Sequence, residues 1–208
     1  MQLSPGRLIQ LVAGLILFGI SLALLVRSRL GLDPWDVFHQ GLSIQSGIAI
    51  GTVTILVGAV VLVLWVPLRQ RPGIGTIANV VLVGVALDAT LAVLPVPVDL
   101  RVRWACLIAG IVLNGIATGA YIGAALGPGP RDGLMVGLAS RGHSVRAVRT
   151  AIELTVLGVG WVMGGTVGVG TVLFAVTIGP IVHVTIPALT RGPGSKPRSM
   201  KEARCGSA

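Results

Sequence analysis

Two copies of one short pattern carry three of the seven acidic residues in this chain. Gly31-Leu32-Asp33-Pro34-Trp35-Asp36, followed by Gly41-Leu42, returns 96 residues later as Gly127-Pro128-Gly129-Pro130-Arg131-Asp132, followed by Gly137-Leu138. Proline suits the first position of a helix, where its missing N–H leaves nothing unpaired. Asp33 precedes Pro34 and can cap a helix. Asp36 and Asp132 fall on the third helical position, at the positive end of the helix dipole. Two readings follow. In one, these are well-made helix starts whose aspartates satisfy backbone N–H groups. In the other, Asp33 and Pro34, and Gly129 and Pro130, open two half-helices whose N-termini and carboxylates, Asp36 and Asp132, line a shared cavity. Free helix N-termini favour anions, whereas the carboxylates favour a cation or carry a proton. The sign of a ligand stays open.

Other polar groups sit inside apolar stretches. Asp88 lies about two-thirds of the way along one, where a charge costs at least ~2.5–3.5 kcal/mol on insertion scales. His183 stands 95 residues later in the matching stretch. Asp88 and His183 are candidates for solute or ion binding; tolerance near the ends of their helices is the plainer account. Asn114, Thr118 and Tyr121 share a stretch with Gly115, Gly119 and Gly123. Glycine at every fourth residue makes a smooth face for close helix packing. Asn114, Thr118 and Tyr121 are then either bonded across that contact or part of a pore lining. Glu153, one turn after Arg149, reads as an i,i+4 ion pair. His39 and His143 read as solvated, and the four tryptophans as interface anchors.

No catalytic constellation emerges: there is no nucleophile–base order in a suitable context, no H-E-x-x-H and no phosphate-cradling loop. The chain is expected to be no enzyme and to use no metal or cofactor. Cys106 and Cys205 imply no disulfide framework.

The elements that must position these groups are membrane helices. Of 208 residues, 53% are hydrophobic and only 11% charged, against about 25% charged in soluble domains. The formal charge of +9 lies between apolar stretches and at the C-terminal end. That is membrane topology, and nucleic acid is not expected as a partner. Stretches 8–28, 48–68, 73–94, 104–126, 145–164 and 167–189 reach the ~20 residues needed to cross ~30 Å of hydrocarbon. Segments 31–47 and 127–143 each hold a short helix of roughly half that reach, either interfacial or re-entrant.

The repeat extends further. Gly73-Ile74-Gly75-Thr76 is answered at an offset of 95 by Gly168-Val169-Gly170-Thr171. Three spans per copy put the second copy upside down in the bilayer. With the N-terminus in the cytoplasm, twelve of the sixteen Lys and Arg lie inside and Arg27, Arg29, Arg101 and Arg103 outside, as the positive-inside rule requires. The expected fold is all-α: six transmembrane helices as two inverted three-helix repeats, each with a short half-helix. Repeat 1 covers 1–98, repeat 2 covers 99–190, and 191–208 reads as a disordered, basic cytoplasmic tail drawn to anionic lipid.

The run Gly31 to Val37, then Gly41-Leu42-Ser43, then the Gly-x-Gly-Thr at 73–76 leading to Asp88, resembles the bacterial YczE/YitT-like integral membrane proteins. The likeness covers nearly the whole chain to about Thr190. It implies a small multi-pass protein of the bacterial inner membrane, in a group where transport is usually only presumed. The leading expectation is a secondary transporter or exporter of a small solute, proton-coupled through these acids, with lipid and a second copy of itself as partners. A non-transporting subunit or chaperone for a neighbouring enzyme or exporter is the alternative, and a passive channel a third.

Overall fold

The computed structural model describes residues 4–142 and 144–190, and every regular element among them is helical. His143 and the basic tail expected over 191–208 lie outside the described residues. The helices are α1 (Pro5–Ser28), α2 (Pro34–Ser46), α3 (Ile50–Trp65), α4 (Ile74–Val93), α5 (Leu100–Gly123), α6 (Pro130–Ala139), α7 (Val145–Val162) and α8 (Val169–Leu189). Proline opens α1, α2 and α6, where its fixed φ already fits a helix.

Four helices, α1, α4, α5 and α8, are long and apolar enough to cross a membrane, and a fifth is gained if α2 and α3, bent 114° to each other, form one broken span. This departs from the expected six full spans for two physical reasons. The apolar run at 48–68 is longer than its helix, because the chain turns after Trp65 and α3 keeps 16 residues. The run at 145–164 becomes an 18-residue helix that holds Arg146, Arg149 and Glu153.

Helix α1 packs on α4 and α5, and α5 packs on α8. The seams are built on small residues. A Cβ at Gly19 would meet the backbone N of Leu87 at 2.9 Å, and one at Gly119 would meet Thr185 Cβ at 2.7 Å. The glycine face at 115, 119 and 123 is therefore a helix contact, closed by Thr185 Oγ1 donating to the Gly115 carbonyl at 2.8 Å. The principal core fills the α1–α4–α5 layer with Leu11, Leu15, Leu22, Leu87 and Leu107. A smaller core joins Trp35, Val61, Trp65, Leu134 and Met135.

Matched positions make matched contacts. Gly75 N–H donates to the Leu126 carbonyl at 3.0 Å, and Gly170 N–H to the Leu30 carbonyl at 2.7 Å. Each bond carries the Gly-x-Gly-Thr start of one half onto the turn that opens the short helix of the other. Gly31 (φ +124°) and Gly127 (φ +133°) form those turns. They need glycine twice over: for the positive φ, and because a Cβ would press on Thr171 N and Thr76 Oγ1 at 2.7 and 2.8 Å. Arg7 Nε donates to the Ala124 carbonyl at 2.9 Å, and Arg103 Nε, 96 residues later, to the Ser28 carbonyl at 2.8 Å. Arg27 likewise reaches the Leu91 carbonyl. These arginines hold the carbonyls at helix C-terminal ends, which favour cations.

Trp104 and Trp161 are exposed, as interface anchors should be, but Trp35 and Trp65 are buried. The Trp65 side chain lies over Gly133, and its indole N–H donates to the Pro130 carbonyl at 3.0 Å. That carbonyl anchors α6 to the end of α3.

Candidate functional site

A cavity of about 430 Å³ opens where α2 and α6 begin. Asp33, Pro34, Gly129 and Pro130 all line it, so the structure brings the two half-helix starts to one place. The first of them is fully capped: Asp33 Oδ1 accepts from the Asp36 N–H at 2.6 Å. The second has no side-chain cap, since Gly129 stands where Asp33 would.

The two acids of the repeat have diverged. Asp36 is 2% exposed and lies behind the cavity wall. Its Oδ1 is 3.2 Å from His39 Nδ1 and 3.4 Å from Arg131 Nη2. Arg131 Nη1 stands 3.5 Å from Asp33 Oδ2. The same guanidinium lies over the Trp35 ring, 5.1 Å from its centroid, a cation–π geometry. One cation from the second half thus serves two carboxylates of the first, and breaking such a buried pair costs about 3–5 kcal/mol. Thr54 Oγ1 is 3.3 Å from His39 Nδ1. Asp36 Oδ2, His39 Nε2 and the Trp35 indole N–H are buried without a hydrogen-bond partner.

Asp132 faces the cavity. Its Oδ2 accepts from the Tyr121 hydroxyl at 3.1 Å. Among the described residues no cationic side chain pairs with it. Asn114 also lines the cavity, with Nδ2 donating to Ser21 Oγ at 3.1 Å, so it both bridges α5 to α1 and borders the space. Arg149 and Glu153 stand on the α7 side and form the expected i,i+4 pair, 2.8 Å apart. The remaining walls are largely apolar, with Phe18, Val61, Phe174, Ile178 and Val182 among them.

Asp88 and His183 are not brought here. Asp88 caps α3 from the side: Oδ1 accepts from Gly51 N–H at 2.7 Å, and Oδ2 from Thr52 N–H at 2.9 Å and Thr52 Oγ1 at 3.2 Å. That gives the intramembrane acid a structural partner, helix donors that would otherwise lack one. His183 is exposed on α8.

Sequence reading missed Arg131, His39 and Trp35 as members of the site. In the charge bias Arg131 is one more cytoplasmic loop charge, and His39 reads as solvated, yet Arg131 turns onto Trp35 and His39 is 1% exposed. The available signal was the mismatch at 35 and 131, where the repeat exchanges an aromatic for a guanidinium.

The chain matches the model of a family of unknown function, DUF6198, over residues 5–187, and belongs to that family. It is similar to an uncharacterized protein of Haemophilus influenzae, 40% identical over 184 residues, 88% of this chain and 84% of the other. It is 37% identical over 179 residues to the uncharacterized membrane protein YczE of Bacillus subtilis, covering 84% and 83% of the two chains. With the uncharacterized protein YyaS of Bacillus subtilis it shares 27% identity over 185 residues, 86% of this chain and 91% of the other. No solved structure matches it. The resemblance carried by the Gly31–Val37 motif is thereby borne out, and the chain is a membrane protein.

Proposed function

Starting from that family membership, we propose that the protein is a small secondary transporter that binds its solute in the cavity between the two short helices. One observation carries this reading. The cavity sits at the junction of two half-helix starts and gathers charged groups that a purely structural seam has no use for. Transporters built from inverted repeats place their sites at such junctions.

Six crossings in two inverted halves fit the contacts. The start of α1 lies by the ends of α5 and α8, through Arg7 to Ala124 and Gln10 Nε2 to the Leu189 carbonyl. The end of α1 lies by the start of α5 and the end of α4, through Arg103 and Arg27. Hence α1 and α4 run one way, α5 and α8 the other, as equivalent helices of oppositely inserted copies do. Short α3 and charged α7 are the remaining crossings in this reading. The arginine bias, even with Arg131 set aside as a site residue, supports an N-terminus in the cytoplasm of a bacterial cell. Because Asp88 is committed to α3, Asp132 and Asp36 are the acids left to couple solute movement to protons.

The test is flux in proteoliposomes across a panel of organic cations, anions and neutral solutes, under imposed pH and solute gradients. Gly179 lines the cavity, and a Cβ there meets nothing within 4 Å. Gly179→Trp should therefore fill the cavity, keep the melting temperature and abolish flux. A folded protein that moves no solute, or equal flux through Gly179→Trp, would remove the transporter reading. Stoichiometric co-purification with an enzyme or exporter would put the supporting-subunit role in its place.

A further inference from the structure

We infer that the cavity takes a cationic organic solute with an apolar flank, an amine or quaternary ammonium, held by Asp132. This rests on the cavity being a solute site and gives that site a substrate class. Three observations converge on it.

The first is the charge inventory. Arg131 is shared by Asp33 and Asp36, and Arg149 is paired with Glu153. Among the described residues, Asp132 is the lining carboxylate left without a side-chain cation, held by the Tyr121 hydroxyl. The start of α6 contributes about half a positive charge, which leaves the attraction for a full cation in place.

The second is how the repeat differs between halves. The position that supplies Arg131 to the acids of α2 supplies Trp35 in the first half. One half brings a guanidinium and the other an indole, so the cation serves the acids at the start of α2 and leaves the acid of α6 without one. Arg131 seated on Trp35 between Asp33 and Asp36 shows what the acids of α2 accept: a planar cation stacked on an aromatic ring. The matching acid of α6 has no such tethered group, and a diffusible cation can take that role.

The third is the wall. Phe18, Tyr121 and Phe174 border the cavity among branched aliphatic residues. Aromatic faces attract cations, and aliphatic walls reward a solute that carries hydrocarbon beside its charge. Among the described residues an anion finds no free partner, because both arginines at the cavity, Arg131 and Arg149, are already paired.

The experiment uses full-length protein in lipid nanodiscs, with empty discs subtracted. Radiolabelled tetraphenylphosphonium and tetraphenylborate, alike in shape and opposite in charge, are titrated separately, since the two ions precipitate together. Saturable binding of the phosphonium and none of the borate is expected. Asp132→Asn keeps an acceptor for Tyr121 and should weaken phosphonium binding at least ~10-fold, about 1.4 kcal/mol. His183→Ala should leave it unchanged. Equal binding of both ions overturns the inference without any variant, as does wild-type affinity in folded Asp132→Asn. Flux separates the two readings. Solute flux blocked by Gly179→Trp with no charge-selective binding sinks this inference and spares the transporter. Asp132-dependent binding without flux does the reverse.

Discussion

Helices α3 and α4 are sealed along a common seam, while α7 and α8, at the matching positions of the second half, are not. In the first pair, Gly51 and Gly84 let the backbones touch, so that a Cβ on either would overlap the other's carbonyl. Gly58 accommodates Val80, and Asp88 ties the start of α3 to α4. At the offset of 95 that pairs the helix starts Ile50 and Val145, the second pair has Arg146, Glu153 and His183 in place of Gly51, Gly58 and Asp88. Gly84 survives as Gly179, yet nothing lies within 4 Å of it. In lipid, helices associate through close packing and polar bonds rather than through a hydrophobic driving force. Remove the small residues on one helix and the capping acid on the other, and the seam has nothing to close it. The second half therefore stands open, and its gap forms one wall of the cavity, with Arg149, Glu153, Gly179 and Val182 along it.

The largest test of this comparison is a bulky residue on each side. Gly51→Leu must force α3 from α4 and strip Asp88 of its donors. Overpacking alone costs about 1–3 kcal/mol, and loss of the cap adds about 1 kcal/mol. Gly179→Leu should change stability by no more than about 0.5 kcal/mol. Thermal unfolding in detergent, followed by tryptophan fluorescence, reads both. Equal losses would mean that the two seams are alike and that the cavity has no open wall.

Much of this was legible in the chain. The repeated proline marked both helix starts, Asp33 was recognised as a cap, and the glycines at 115, 119 and 123 as a packing face. The sites went wrong where depth was known but direction was not. Asp88 sits deep in an apolar run, and sequence alone cannot tell that it looks toward the N–H groups of Gly51 and Thr52 rather than a cavity. Arg131 presented the same difficulty in reverse. As one more arginine on the basic side it served a charge tally, and only the fold shows it turned inward onto Trp35. Hydropathy overstated α3 because valine and leucine continue beyond Trp65 into a turn. In each case local chemistry was readable and the neighbour across the fold was not.

A narrower contrast lies at the repeat's other mismatch, Asp88 and His183. Asp88→Ala removes the acceptor for two backbone N–H groups of α3. Replacing such a cap costs about 0.5–2 kcal/mol, so the melting temperature should fall. His183→Ala touches an exposed side chain and should leave it where it was. A comparable fall in both would assign His183 a tie across α7 and α8 and make the halves equivalent.

The smallest effect is the most discriminating about what fills the open wall. Glu153→Gln leaves Arg149 without its ion pair. Arg149 is 59% exposed, and exposure has two meanings in a membrane protein. Against hydrocarbon, an unpaired arginine costs at least ~2.5–3.5 kcal/mol, and the variant would insert poorly. Beside an aqueous mouth, an i,i+4 pair contributes only about 0.2–0.5 kcal/mol, and the variant should express and melt like the parent. The second outcome is expected, because Arg149 and Glu153 line the same cavity as Asp132 and Asn114, and two charged side chains at its wall are solvated at little cost once water reaches them. Poor insertion of Glu153→Gln would turn that wall toward lipid and leave the cavity without the opening that distinguishes the second half from the first.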